Sequence, residues 1–354
     1  MDLVPNLPLD VVRECLIRVS YNQLPKIAST CKAWKTEIER PGFFLLRRAA
    51  GYAQKLVVIA QARDDPERRI GVSKSCHSVY RLSVLDPCSG NWDELPPVPG
   101  LPHGLPYFCQ IRAVGSELVV MGGLEPGTWE VSRSVHVFNF LSGCWRRGVD
   151  IPGVRRLFFG CASDQHRVVY VAGGHDSDKN ALRSAMAYDV EKDNWTQLPD
   201  MRRERDECKG IFQRGKFHII GGYCTAMQGH FERSAEEFDV MTWRWNSVEE
   251  EFLEAGTCPR TCSAGDEMDV YMCCGADVVT RKGAMWKTVA KLPSELGNTA
   301  CVVTWRGKLL AIGSSKLGEP HRAYVLDIEK AEWTEMQTPE KYSGHVQSGC
   351  YIEI

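Results

Sequence analysis

The stretch 168–199, VVYVAGGHDSDKNALRSAMAYDVEKDNWTQLP, decides the fold of this chain. It opens with an apolar run that ends on Gly173-Gly174, and a second run, AMAYDV, follows. Asp189 in that run stands six residues ahead of Trp195, and Leu198-Pro199 closes the unit. Short apolar runs bounded by Gly, Asp and Pro are strand and turn signals. The same markers recur in phase elsewhere. LVVMGG (Leu118–Gly123) and KFHIIGG (Lys216–Gly222) also end on double glycine, followed at a similar distance by Trp145 and Trp245. The Asp-to-Trp gap of six returns as Asp86/Trp92, Asp239/Trp245 and Asp327/Trp333, with Asn139/Trp145 as the amide version.

The marker tryptophans 92, 145, 195, 245, 286 and 333 are 53, 50, 50, 41 and 47 residues apart. A period near 50 with four short strands per unit describes a propeller blade of kelch type. Each marker has a physical use. Gly-Gly permits a sharp backbone turn, Asp opens a tight turn, and Trp buries a large ring between neighbouring blades. Two units carry Cys274-Gly275 and Gly313-Ser314 instead of the double glycine, but their strand patterns VYMCC, KLLAIG and AYVLDI persist, so both blades are expected. The run KLVVIAQA (Lys55–Ala62) lacks an innermost strand before it, and HVQSGCYIEI (His345–Ile354) has no strand after it. Together they make one blade split between the two ends, which closes the ring and leaves no strand edge unpaired. Residues 51–354 therefore read as an all-β six-bladed propeller.

Residues 1–50 read as all-α. Asp10 is expected to cap a first helix carrying Val11, Val12, Cys15, Leu16 and Val19 on its apolar stripe. Leu24, Ile27, Cys31, Trp34 and Ile38 form a second stripe, across two short helices with a break near Ser29-Thr30. Pro41-Gly42 is expected to end the helical part. Fifty residues are few for an independent core, so this segment should lean on the propeller or on a partner.

Composition narrows the function classes. The formal net charge is -2, which offers no bulk attraction to nucleic acid or to an anionic membrane. The opening MDLVPNLPLD lacks the apolar core of a secretory signal, and the LVVIA run at Leu56–Ala60 is strand-sized, far short of a membrane span. The fifteen cysteines are scattered and odd in number, as expected of mostly free, buried thiols in a reducing compartment, cytoplasm and nucleus. Asn194-Trp195-Thr196 would then be an idle glycosylation sequon.

Catalytic strings are missing. Neither a G-x-S-x-G elbow nor a phosphate-binding G-x-x-x-x-G-K-[ST] loop occurs. Cys258-x3-Cys262 with Cys273-Cys274 is the best metal spacing, yet adjacent strand cysteines point to opposite faces. None of the nine histidines follows an Asp by four residues, as one class of propeller iron site would need. No catalytic residue, metal or cofactor is expected. What remains is surface. Loops between second and third strands share one face with the segments between blades, while the opposite face has short turns such as Gly115-Ser116. The long-loop face carries Trp129, His175, Tyr223 and His321, and the inter-blade segments carry Arg155, Arg156, Arg202 and Arg205. Aromatic and Arg side chains concentrate at binding hot spots, so these eight are the candidate target-binding residues.

The run from Leu7-Pro8 through Cys15-Leu16 and Leu24 to Cys31-Lys32-Ala33-Trp34 resembles an F-box: an opening Leu-Pro, apolar helices and a Cys-Lys/Arg-x-Trp signature. The chain as a whole resembles plant proteins with an F-box followed by kelch repeats. Pro152–Ser163, Arg203–Lys209 and Gly344–Cys350 look like the KISS ME DEADLY subgroup. The resemblance implies a substrate receptor of a Skp–cullin–F-box ubiquitin ligase that binds a Skp-type adaptor and, through it, a cullin scaffold. It implies an adaptor face drawn from Leu7, Pro8, Val11, Leu16, Leu24, Ile27 and Trp34, some of which must serve the segment's own core. It also implies protein substrates in the class of phenylalanine ammonia-lyase or type-B response regulators. The competing readings are a kelch scaffold or inhibitor without ubiquitination, and an enzyme acting in the central channel.

Overall fold

A computed structural model describes residues 7–63, 78–265 and 269–354 of the chain. Four helices open it: α1 (Leu9–Leu16), α2 (Leu24–Ala28), α3 (Lys32–Ile38) and α4 (Pro41–Ala49). The break in the second stripe falls between α2 and α3, where the Cys31 sulfur accepts the Trp34 N–H and caps α3. Two expected boundaries are corrected. Pro8, not Asp10, is the N-cap of α1, and it makes no side-chain capping bond. Pro41 begins α4 instead of ending the helical part, because its fixed φ and missing N–H suit a first helical turn.

Six four-stranded antiparallel sheets follow. Blade one is assembled from both ends: Val346–Glu353 is its innermost strand and pairs with Lys55–Arg63, which pairs with Val79–Leu85. Blades two to six are continuous in sequence, with innermost strands Gln110–Val114, Gly160–Ser163, Lys209–Gln213, Ser263–Ala264 and Asn298–Trp305. Each inner strand neighbours those of the adjacent blades, so the six surround a central axis. The apolar clusters lie between blades. One joins Val119, Val135 and Val137 of blade two to Cys161, Val171 and Tyr188 of blade three, with Trp195 against it.

The sequence markers acquire geometry here. The indole N–H of every marker tryptophan donates to a backbone carbonyl of the preceding blade. Trp145 reaches Pro96 (3.0 Å), Trp195 reaches Val149 (2.9 Å), and Trp245 reaches Pro199 (2.7 Å). Trp286 reaches Phe252 and Trp333 reaches Lys291, both at 2.7 Å, and Trp92 closes the ring onto Gln337 at 3.0 Å. The Asp and Asn markers cap the turns between third and fourth strands. Asn139 Oδ1, for example, accepts the N–H groups of Leu141 and Ser142 at 2.9 and 3.0 Å. The second glycine of each pair sits at positive φ against the inter-blade segment. A Cβ on Gly123, Gly174 or Gly222 would lie 2.5, 2.2 or 2.5 Å from the carbonyl oxygen of Tyr107, Leu157 or Asp206.

Two candidate binding arginines are part of this frame. Arg156 is 2% exposed and donates to the carbonyls of Gly173 and Ser184, both at 3.1 Å, and to Ser184 Oγ at 2.8 Å. Arg205 is fully buried and repeats the arrangement on Gly221 (2.8 Å), Ser234 (3.2 Å) and Ser234 Oγ (2.9 Å). Its Nε also donates to Glu236, itself fully buried, at 3.2 Å. Both side chains tie the segment entering a blade to the double-glycine turn of that same blade. The expectation that they face a target is therefore corrected. The guanidinium fork satisfies backbone carbonyls that a turn at the end of a buried strand leaves without partners.

The helices share a core with blades one and two. Val12, Leu16, Leu24, Ile38 and Phe43 pack in one cluster with Leu56, Val58, Phe138, Phe140 and Leu141. Arg47 of α4 is fully buried at this joint. It donates to the carbonyls of Ile17 (2.9 Å) and Val19, and to those of Tyr52 and Ile354 at 3.3 Å. Burial pushes its pKa down to about 10. Ile354 follows the innermost strand of blade one, and Phe140 and Leu141 lie in the turn between third and fourth strands of blade two. The helices therefore sit on the short-turn face, opposite the long loops.

Two measurements check these roles. Gly229 has φ +78° and nothing within 4 Å of where a methyl group would sit, so Gly229→Ala should cost only the left-handed penalty, about 1 kcal/mol. Gly174→Ala adds a backbone collision and should cost at least about 2 kcal/mol more, read from denaturation midpoints. Arg205→Met should cost about 3 kcal/mol because it strands buried Glu236, and more than Arg156→Met, which leaves no buried acid behind. Equal costs for the two arginines would mean that the Arg205–Glu236 pair adds nothing to the carbonyl contacts the two share.

Candidate protein-interaction face

The long-loop face narrows into a funnel on the propeller axis. Its wall is built by residues just ahead of the inner strands. At matching positions in three successive blades, Phe108, Phe158 and Glu207 take left-handed φ values of 60°, 51° and 50°. Bulky side chains rarely adopt this backbone region, and such outliers cluster at functional sites. The Phe108 and Phe158 rings meet at 4.9 Å between centroids, and Phe158 lies 5.6 Å from the His175 ring. Beside them Trp129 stacks on Tyr107 at 5.3 Å and 17°. The funnel encloses about 300 Å³, lined among others by Phe108, Phe158, Glu207, Lys209, Arg260 and Gln347.

The sequence candidates divide by exposure. Trp129 is 54% exposed, and Arg155 and Arg202 are exposed as well. The Arg155 guanidinium donates to the Val131 carbonyl, and the Arg202 backbone N–H donates to Glu236. The other five are not on the surface. Besides Arg156 and Arg205, His175 is buried with Nδ1 2.8 Å from Asp206 Oδ2. Tyr223 is buried with its hydroxyl donating to Glu207 at 2.9 Å; burial first, then that carboxylate, pushes its pKa up. His321 is 5% exposed, and burial followed by the field of His345 pushes its pKa down to about 4. Asp206 bridges to Tyr223 and Leu157 to His175 in the backbone, so His175 and Tyr223 brace the loops from below. Their expected contact with a target is corrected to a supporting role.

Phe108, Lys209 and Gln347 were not among the candidates. Phe108 had a signal: Leu105-Pro-Tyr-Phe108 precedes its inner strand as Val154-Arg-Arg-Leu-Phe158 precedes the next. At and just ahead of the inner strands the buried cysteines are held as thiols. Burial pushes Cys208 and Cys301 up to about 11 and Cys109, Cys262 and Cys350 up to about 12. Among the described residues the cysteines are free, and no group of His, Cys, Asp and Glu has metal-binding geometry. The expectation of mostly buried thiols is too strong, since Cys15, Cys31, Cys88, Cys144 and Cys274 are exposed at helix, cap, turn and strand-end positions. Among the described residues no helix is long and apolar enough to cross a membrane.

At the helical end, Leu7, Pro8 and Val11 are exposed. Ile27 and Trp34 are half-buried against the core. Leu16 and Leu24 are interior, packed on the propeller-facing cluster, so their expected place on an adaptor face is corrected. Leu9, Leu45 and Leu46 are exposed apolar residues that sequence periodicity did not single out, Leu45 at 60%.

Comparison with known proteins agrees with this architecture. The F-box domain family model matches residues 4–46, and the Kelch motif model matches residues 155–202. F-box/kelch-repeat protein At1g15670 of Arabidopsis thaliana is 50% identical over 359 residues, covering 100% of both chains. F-box/kelch-repeat protein At1g80440 of the same plant is 48% identical over 362 residues, again with 100% of both covered. The solved structure of YjhT matches with a TM-score of 0.58 at 13% identity, over 73% of this chain and 91% of that one, a likeness of fold alone. With an F-box segment packed on the short-turn face of a six-bladed kelch propeller, and full-length relatives of the same composition, the chain belongs to the F-box/kelch-repeat protein family.

Proposed function

We propose that this chain is the substrate-recognition subunit of a Skp–cullin–F-box ubiquitin ligase. The observation that carries the reading is the opposition of two surfaces on one packed body. Exposed Leu7, Leu9, Val11, Leu45 and Leu46 lie in the segment on the short-turn face, while Phe108, Trp129, Arg155 and Arg202 lie on the long-loop face. Exposed apolar side chains concentrated in one small segment suit a partner surface. The chain contributes no catalytic group in this reading. It raises the effective concentration of target lysines near a ubiquitin-charged enzyme carried elsewhere in the assembly. Buried Arg47 and the shared core make the linkage between the two surfaces short and stiff. The targets belong to the classes implied by the subgroup resemblance, phenylalanine ammonia-lyase and type-B response regulators, met in the cytoplasm and nucleus.

Two experiments test the reading. Changing Leu7, Leu9 and Val11 together to Asp should weaken adaptor capture more than about tenfold while the denaturation midpoint stays near that of the parent, because these side chains are already in water. Bound targets should then live longer in cells. An unchanged target lifetime with adaptor binding lost would favour a non-degradative binder. At the other end, Phe108→Asp with Trp129→Ala should weaken target binding by about tenfold or more and leave adaptor capture intact. Target binding that survives both changes would move the recognition surface away from the funnel.

A further inference from the structure

The propeller axis carries positive charge that no acid pairs with among the described residues. Arg112 extends from the inner strand of blade two, where Nε and Nη2 donate to the Cys161 carbonyl at 2.8 and 2.6 Å and Nη1 donates to Ile111 at 2.6 Å. Lys209 opens the inner strand of blade four, and its Nζ donates to the Arg260 carbonyl at 3.0 Å. Both line the 300 Å³ funnel and also the cavity of about 130 Å³ beneath it, so they stand at the waist between the two. Among the described residues neither forms an ion pair. Among the described residues the lining of the lower cavity has no acid, and that of the funnel has only Glu207, whose carboxylate accepts the Tyr223 hydroxyl.

A partly buried cation costs free energy unless a counter-charge accompanies it. Elsewhere in this chain cations are compensated in two ways: Arg205 has Glu236, Arg203 has Glu232 and Glu250, and Arg167 has Asp189, while Arg47 and Arg156 are enclosed by protein and spend their N–H groups on backbone carbonyls and a serine. The axial pair differs from both groups, because it lines two cavities with no acid paired to it among the described residues. Burial, and next the field of Arg112, push the Lys209 pKa down, as expected of a cation facing another cation. Among the described residues Lys209 Nζ has one hydrogen-bond acceptor for its three N–H groups. Arg260 at the rim adds a third positive charge, with Nη2 held by Asn298 Oδ1 (3.2 Å) and the Thr299 carbonyl (3.1 Å). Glycines at Gly210 and Gly349 keep the inner strands close at this level; a Cβ on Gly210 would lie 2.6 Å from the Cys161 nitrogen.

We propose that the axial channel is a binding site for an oxyanion, a carboxylate or phosphate group, held between Lys209 and Arg112 with Arg260 guiding its entry. The group comes either from a free small molecule or from an acidic side chain of the bound target, and 300 Å³ accommodates either. This site does not depend on the ligase reading, and its test uses the isolated full-length chain.

The test is calorimetric titration with inorganic phosphate and, separately, with the blocked tripeptide acetyl-Gly-Glu-Gly-amide, at constant ionic strength. Binding of phosphate, of peptide, or of both is expected in the parent. Peptide that displaces phosphate identifies an acidic side chain as a source, and phosphate alone identifies a free anion. Lys209→Met should weaken whichever binds by about tenfold or more, whereas Lys287→Met, on the exposed outermost strand of blade five, should change nothing. Should Lys209→Met disturb folding, Ala300→Asp places a carboxylate on the funnel wall. That variant should raise the thermal midpoint and abolish the phosphate response. The proposal is overturned if neither probe binds the parent, or if both substitutions leave the titration unchanged.

Discussion

Ring closure is the constraint on which the rest of the molecule depends. No blade holds a core of its own: the apolar clusters lie between blades, and each marker tryptophan donates its indole N–H to the blade before it. A six-blade circle built this way is complete only when the last strand pairs with Lys55–Arg63 and Trp92 reaches Gln337. The same event seats the helices. Ile354 exchanges backbone hydrogen bonds with Gln54 (2.6 and 2.9 Å) and accepts from Arg47, so the strand that closes the propeller also anchors the F-box.

This coupling has a functional consequence. Inter-domain contacts within a chain are usually polar and yielding, and relative motion is the default. Here the contact is apolar, with Phe43 packed among Phe138, Phe140 and Leu56, and a buried arginine links four carbonyls across it. A body of this kind transmits orientation as well as proximity. The helical end and the funnel sit on opposite faces of the disc, so a partner on one face leaves the other open.

The candidate site was legible in part. The long-loop face followed from connectivity, because loops after the second strand and segments between blades must emerge on the same side. Trp129, Arg155 and Arg202 are exposed there. Arg156 and Arg205 misled because an arginine in a polar segment looks the same whether it meets solvent or carbonyls. Their shared offset of four residues before an inner strand, on matching double-glycine turns, is the periodic sign of a framework role. Phe108 and Lys209 escape notice for the opposite reason. An aromatic or a lysine beside a buried strand reads as core or as ordinary surface, and only the left-handed backbone at Phe108 and the close ring of inner strands turn them toward the axis.

The sequence by itself determined the number of blades, the closure of the first blade from both ends, and the F-box segment, because these rest on local chemistry that repeats. Glycine is needed where φ is positive and a carbonyl lies within 2.5 Å, Asp or Asn where turn N–H groups need an acceptor, and Trp where a blade must reach its neighbour. Tertiary structure decided which polar side chains are spent inside. It buried Leu16 and Leu24 against the propeller, turned two arginines and two histidines inward, and left Arg112 and Lys209 facing the axis with no acid paired to them among the described residues. Those outcomes depend on neighbours tens of residues away, brought together only when the ring closes, and no repeat within one blade encodes them.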